Sequence, residues 1–298
     1  IISPNTGIYD KGTFKDAGRP YARCWIGSGS GSHGNVNVSE ALEVSCNYFF
    51  YTVAYRMNKG AGDLSGINTL NKYMEAFGLN SPTGVEISEL YDSMSQYPTH
   101  ISSPEYKKYI TQQRDADAKE SDYKWSAGDT IRTAIGQSYN NYTSALMSKY
   151  VATLANGGTR YSMHFLNKVT NNDGKTEEEY QPKVESKIEI KKENLDAIFK
   201  GMFLVTTGPR GTLRNYFKDF PVDVAAKSGT AQQSSKRSEH TTFVAFAPLE
   251  DPQISVCVII PFGNGTTGPA PKVAKVAISE YLKLDYKPEL KSYDTLLH

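Results

Sequence analysis

VAAKSGTAQQ (Val224–Gln233), TTFVAFAP (Thr241–Pro248) and ISVCVIIP (Ile254–Pro261) are three runs of β-branched, aromatic and small residues. That composition is the one strands favour. The last two are joined by Leu249-Glu250-Asp251-Pro252, a turn sequence, so the runs predict an antiparallel sheet. Downstream, Pro271 opens a helix with Val273, Val276, Ala277, Tyr281 and Leu284 on one face, and this face is expected to lie on the sheet. Cys257 lies inside an apolar run and reads as core.

Upstream, Glu193–Thr206 has helical periodicity, and Asn171–Lys192 alternates charged and apolar residues around Asn-Asp-Gly, a hairpin signal. Thr130–Leu154 reads as a helix stopped at Asn156-Gly157-Gly158, and Leu64–Phe77 as one stopped by Gly78. Residues 91–124 form a polar excursion expected on the surface. VSEALEVSCNYFFYTVAYRM (Val38–Met57) starts with a capping Ser39 and a first-turn Glu40, then turns apolar, which predicts one or two helices buried on most faces. Ile1–Gly34 lacks a sustained period and reads as loops and short extended pieces. Its Gly27–Ser32 run, GSGSGS, has linker composition and reads as an engineered loop replacement, a native Gly/Ser loop being the alternative. Strands followed by a covering helix, with a helical body before them, make an α+β fold with a cleft between sheet edge and helices, taken as one domain over residues 1–298.

Charge adds exclusions. Lys plus Arg number 33 against 32 Asp plus Glu, so no field favours capture of nucleic acid or of an anionic membrane. No apolar run reaches the roughly 18 residues of a membrane span. Three cysteines, an odd number, rule out a fully paired disulfide framework.

Two short motifs carry chemistry: Ser45-Cys46-Asn47 beside the apolar helix, and Lys227-Ser228-Gly229-Thr230 in a strand. Each alone is weak. In this order, and with ISPNTGIYDKG, HGNVNVSEALEVSCNYFFY, FGLNSPTGVEI, GDTIRTAIGQSYNNYTSALMSKYVATLANGG and FVAFAPLEDPQISVCVII around them, they resemble the class B penicillin-binding proteins from Ile1 to about Leu284. The resemblance implies a D,D-transpeptidase fold and activity: acyl transfer from a D-Ala-D-Ala stem peptide through a serine acyl-enzyme that β-lactams also form. It implies that Ser45 shuttles a proton to the leaving amine and Asn47 binds a peptide carbonyl. Lys227 would polarise Ser45, Ser228 and Gly229 would receive the substrate backbone as an added strand, and Thr230 would supply an oxyanion-hole N–H and a hydroxyl. Acyl transfer of this kind needs no cofactor. A glycosyltransferase partner and a site outside the bacterial cytoplasmic membrane follow from the same resemblance.

Departures from the pattern are as informative. The Ser-x-x-Lys motif should precede Ser45, with the two side chains one helical turn apart. Here the only instance, Ser121-Asp122-Tyr123-Lys124, follows Ser45 in the polar excursion and lacks an apolar helix, so a truncation before the nucleophile is expected. Gly136-Gln137-Ser138 stands where the family usually has Gly-Gln-Gly, and Lys227-Ser228-Gly229 has Ser where Thr is commoner. Asp10, Cys24, His33 and Cys46 could make a tetrahedral zinc set bracing the catalytic loop; against it stands a buried Cys46, a solvent Cys24 and a loop His33 that never meet. Three functions stay open: transpeptidase, β-lactamase or carboxypeptidase of the same fold, and a non-catalytic binding module.

Overall fold

The computed structural model describes residues 1–28, 31–60, 62–87, 99–232, 238–263 and 268–286. The chain opens in short extended pieces: β1 (Ile8–Asp10), β2 (Thr13–Phe14), β3 (Ala22–Arg23) and β4 (Gly34–Val36), with β1 antiparallel to β4 and β2 to β3. The linker-like run at 27–32 lies partly outside the described residues. α1 (Val38–Glu43) follows, and its cap is Asn37 rather than the expected Ser39. The Asn37 side chain accepts the Glu40 N–H, and the Glu40 carboxylate accepts the Asn37 N–H, so both orphan donors are satisfied. Ser39 instead lies within the helix and donates its hydroxyl to the Ala197 carbonyl at 2.7 Å.

α2 (Asn47–Met57) buries Tyr48, Phe49, Tyr51 and Ala54 and packs around Phe14, as its apolar composition demands. α3 (Ser65–Ala76) ends before Gly78, which takes φ +79°. Within the polar excursion, α4 (Pro104–Arg114) and α5 (Glu120–Tyr123) bury none of their residues, while Tyr91–Pro98 lie outside the described residues. The continuous helix expected over Thr130–Leu154 is two helices, α6 (Ala127–Thr133) and α7 (Ser144–Ala155). Gly136 and Ser138, at φ +79° and +73°, turn the chain between them. β5 (Thr159–Tyr161) then pairs with β8 (Val184–Lys187), and β6 (Lys168–Thr170) with β7 (Thr176–Glu179) across the Asn-Asp-Gly turn.

α8 (Lys192–Thr207) and α9 (Arg214–Phe217) lead into the sheet of β9 (Ala225–Ala231), β10 (His240–Ala247) and β11 (Ile254–Ile260). Its order is β11-β10-β9, all antiparallel, so β9 has one free edge among the described residues. The pleat sorts the side chains onto two faces. Ala226, Phe243, Ala245 and Val256 join α9 and α10 (Ala270–Leu282) in one core, while Ala225 and Phe246 join α7 and α8 in another. Fully burying each such phenylalanine contributes roughly 1.5–3 kcal/mol.

α10 meets the sheet through a different face from the one its large residues mark. Ala270, Ala274, Ile278 and Ser279 are buried, whereas Val273, Val276 and Tyr281 are 51%, 40% and 59% exposed. Ala270 and Ala274 let the helix come close over Phe243 and Ala245, and Ile278 fills the remaining space in the same core. Among the described residues no helix is long and apolar enough to cross a membrane.

Candidate active site

Ser45 stands where α1 closes. The Cys46 N–H bonds to Ala41 O at 2.8 Å and the Ser45 N–H to Leu42 O at 3.2 Å, a helix-ending pair that puts Ser45 at φ +53°. A side chain in that region costs roughly 1–2 kcal/mol, so the surroundings must hold it. The Trp25 indole N–H donates to Val44 O at 3.0 Å. The Glu43 carboxylate, 3% exposed, accepts the Arg210 N–H at 2.9 Å from the loop after α8. The Arg210 guanidinium in turn donates to the His33 carbonyl at 3.3 Å.

Lys227 reaches this loop from β9. Its ammonium donates to Ser45 Oγ at 2.5 Å and to the Ser228 carbonyl at 2.8 Å. Burial pulls its pKa from 10.5 down to about 8. α8 sets the spacing, since it packs on both α1 and β9. A Cβ at Gly201 would stand 2.7 Å from Leu42 Cδ1, so only glycine permits the approach to α1. Gly229, on the same sheet face as Lys227, also has no room for a Cβ, because the Thr242 hydroxyl of β10 lies over it.

Beside Lys227 a cleft of about 460 Å³ runs across this face, bounded by the α6–α7 loop and α7. Ser228, Gly229 and Thr230 line it, as do Val244, Ile259 and Cys257. Cys257 therefore faces the cleft and is half-buried, rather than core as expected; both faces of β11 are apolar, so composition could not orient it. Burial pushes its thiol up to about 11. Ser228 Oγ is buried without a hydrogen-bond partner. Asn47 begins α2 half-buried, and its amide makes no hydrogen bond to Ser45 or Lys227. Ser121 and Lys124 are exposed, and neither lines the cleft. Sequence reasoning missed the Gln137 amide, which donates to the Thr230 carbonyl at 3.2 Å; its only sequence signal is the altered Gly-Gln-Ser triplet.

Behind Ser45, the ligand atoms of Asp10, Cys24, His33 and Cys46 lie within 4.8 Å of one another. His33 Nδ1 is 2.7 Å from Asp10 Oδ2 and 3.4 Å from Cys24 Sγ, and Cys46 Sγ is 3.6 Å from Asp10 Oδ2. Cys24 is buried at 1% exposure, contrary to the alternative of a solvent thiol. The Cys46 thiol, donating to Cys24, lowers the Cys24 pKa to about 6 against the opposing effect of burial, and that same bond raises Cys46. Burial alone would raise Asp10, but N–H donation from Gly12 and His33 outweighs it and the carboxyl sits below its usual range. His33 Nε2 is buried without a hydrogen-bond partner. Two sulfurs, a nitrogen and an oxygen this close fit a tetrahedral zinc donor set.

Comparison with known proteins agrees with this architecture. MrdA of Escherichia coli strain K12, a peptidoglycan D,D-transpeptidase, is 33% identical over 285 residues, covering 91% of this chain and 40% of that protein. PBP2 of Pseudomonas aeruginosa, solved in complex with WCK 5153, aligns with a TM-score of 0.72 at 26% identity over 99% of this chain and 58% of that one. PBP2 of Helicobacter pylori, solved in complex with MreC, aligns with a TM-score of 0.71 at 22% identity over 95% of this chain and 46% of that one. The chain spans less than half the length of the curated relatives it matches. Residues 1–278 match the penicillin binding protein transpeptidase domain, and the chain belongs to that family.

Proposed function

We propose that this chain is the cross-linking part of a peptidoglycan D,D-transpeptidase that acts on stem peptides and is acylated by β-lactams. The observation that carries the reading is the Lys227 ammonium 2.5 Å from Ser45 Oγ beside the free edge of β9. A D-Ala-D-Ala peptide would lie along that edge as an added strand, which Gly229 leaves flat. A serine hydroxyl attacks the penultimate carbonyl, the C–O bond forms and the C–N bond to the terminal D-Ala breaks. Ser45, polarised by Lys227, hands the proton to the departing amine, and the Thr230 N–H receives the oxyanion. Asn47 holds the peptide carbonyl. An acceptor stem's amine then takes the acyl group.

The attacking serine on this reading belongs to a Ser-x-x-Lys helix outside these 298 residues. Asp10, Cys24, His33 and Cys46 would hold a zinc ion with a structural role only, bracing Cys46 between Ser45 and Asn47. A glycosyltransferase partner, and a position outside the cytoplasmic membrane, complete the proposal.

Fluorescent penicillin on the full-length protein tests it. Stable stoichiometric labelling is expected, and Lys227→Ala should slow it by roughly a hundredfold or more. Rapid turnover of the label would make the protein a hydrolase, and absence of labelling would end the enzymatic reading. Metal analysis should find about one zinc per chain; less than about a tenth would end the zinc assignment.

A further inference from the structure

We infer that the Gln137 carboxamide is a latch on the free edge of β9, displaced when a substrate's amide N–H takes its place. This rests on the acyl-peptide reading above and extends it to a residue that reading does not use. Strand addition requires donors for the edge carbonyls of β9. One of these, Thr230 O, is already taken by Gln137 Nε2–H at 3.2 Å, so a side chain from the α6–α7 loop stands in for a strand's N–H.

The loop is built to present that side chain. Gly136 at φ +79° and Ser138 at φ +73° flank Gln137, and a reversal on either side presents it to the cleft, which Gly136 and Gln137 both line. The backbone on either side is fixed. Asn140 Nδ2–H donates to Gln137 O at 3.2 Å and to Thr133 O at 3.3 Å, while Asn140 Oδ1 accepts the Ser102 N–H at 2.9 Å. The Tyr139 N–H is held by Ser102 Oγ at 2.9 Å. Ser102 is fully buried, so these anchors stay when the cleft fills. Only the Gln137 side chain has to swing for the Thr230 carbonyl to become free. A ligand whose amide N–H bonds Thr230 O must first displace Gln137, and a ligand without one leaves the latch in place. Gln137 therefore competes with the amide of the acyl donor and slows the donors that use this carbonyl.

Acylation rates of the full-length protein test this with two probes. Benzylpenicillin carries a secondary amide N–H on its side chain; penicillanic acid, the same bicycle without that side chain, has none. Gln137→Ala is expected to raise the second-order acylation constant for benzylpenicillin by about threefold to tenfold, the worth of one exchanged hydrogen bond. For penicillanic acid it should change less than about twofold. Gln137→Glu, which cannot donate to Thr230 O, should repeat the alanine result. Equal changes for both probes, in either direction, would make Gln137 a strut for the cleft and overturn the latch, as would a benzylpenicillin rate that stays constant or falls. If neither probe acylates the wild-type protein, the acyl-peptide reading fails and the latch falls with it, an outcome plainly different from a rate that fails to rise.

Discussion

Replacing Lys227 by Met should stabilise the protein at neutral pH and destabilise it at high pH. Lys227 is half-buried by exposure but its ammonium end is packed among protein atoms, no carboxylate pairs with it among the described residues, and this desolvation brings its pKa from 10.5 to about 8. The native state then releases the proton near pH 8, whereas the unfolded chain keeps it until 10.5. Between those values the unfolded state binds more protons, so stability rises with pH; the cost is fully present below pH 8 and gone above 10.5. At 1.36 kcal/mol per pKa unit, the cost is about 3 kcal/mol. The methionine variant escapes it but loses the bonds to Ser45 Oγ and the Ser228 carbonyl, worth together about 2 kcal/mol. Near pH 7 the variant should therefore be more stable by about 1 kcal/mol, and near pH 10.5 less stable by about 2 kcal/mol. Urea denaturation of both proteins at several pH values, taken as a difference, removes the other titrating groups. A difference that varies by less than about 1 kcal/mol over that range refutes the claim that burial governs Lys227.

The same group governs the proposed chemistry. If the ammonium polarises Ser45, penicillin labelling should fall as pH passes about 8, and labelling rates flat to pH 10 would assign proton transfer elsewhere. Ser138→Gly should stabilise by up to about 1 kcal/mol by relieving φ +73°, seen as a higher Tm; an unchanged or lower Tm would show that the loop carries no such strain. Glu43→Ala leaves the Arg210 N–H without its acceptor and should cost about 2–3 kcal/mol in urea, with Glu43→Gln losing much less because the amide oxygen still accepts.

The sheet and most helices were legible because their signals are local. Turn chemistry at Leu249–Pro252, the Asn-Asp-Gly hairpin and the glycine stops act within a few residues, and the structure follows them closely. The Ser45-Cys46-Asn47 motif is tied to Lys227 of β9, 182 positions away, only through resemblance, since no local pattern says that Ser45 and Lys227 touch. What failed was orientation. α10 turned Ala270, Ala274 and Ile278, rather than its valines, to the sheet. Cys257 could not be assigned a face, because β11 is apolar on both. The break between α6 and α7 was hidden because Ser138 adopts a backbone its own chemistry disfavours.

That last failure and the helix end at Ser45 share a cause. Ser45 and Ser138 are two of only four non-glycine residues at positive φ among the described residues, and both stand at the cleft side of the molecule, one bonded to Lys227 and one beside Gln137. Neither conformation is supplied by the residue itself. Each is imposed: Ser45 by Trp25, Glu43 and the buried cysteine that follows it, Ser138 by Asn140 and Ser102. Local propensity should fail where distant contacts override it, and such places are where a fold spends stability to aim particular atoms. Ser45 holds Lys227 and Ser138 adjoins Gln137, and both of those partners line the cleft, so each imposed backbone bears on where a cleft side chain stands.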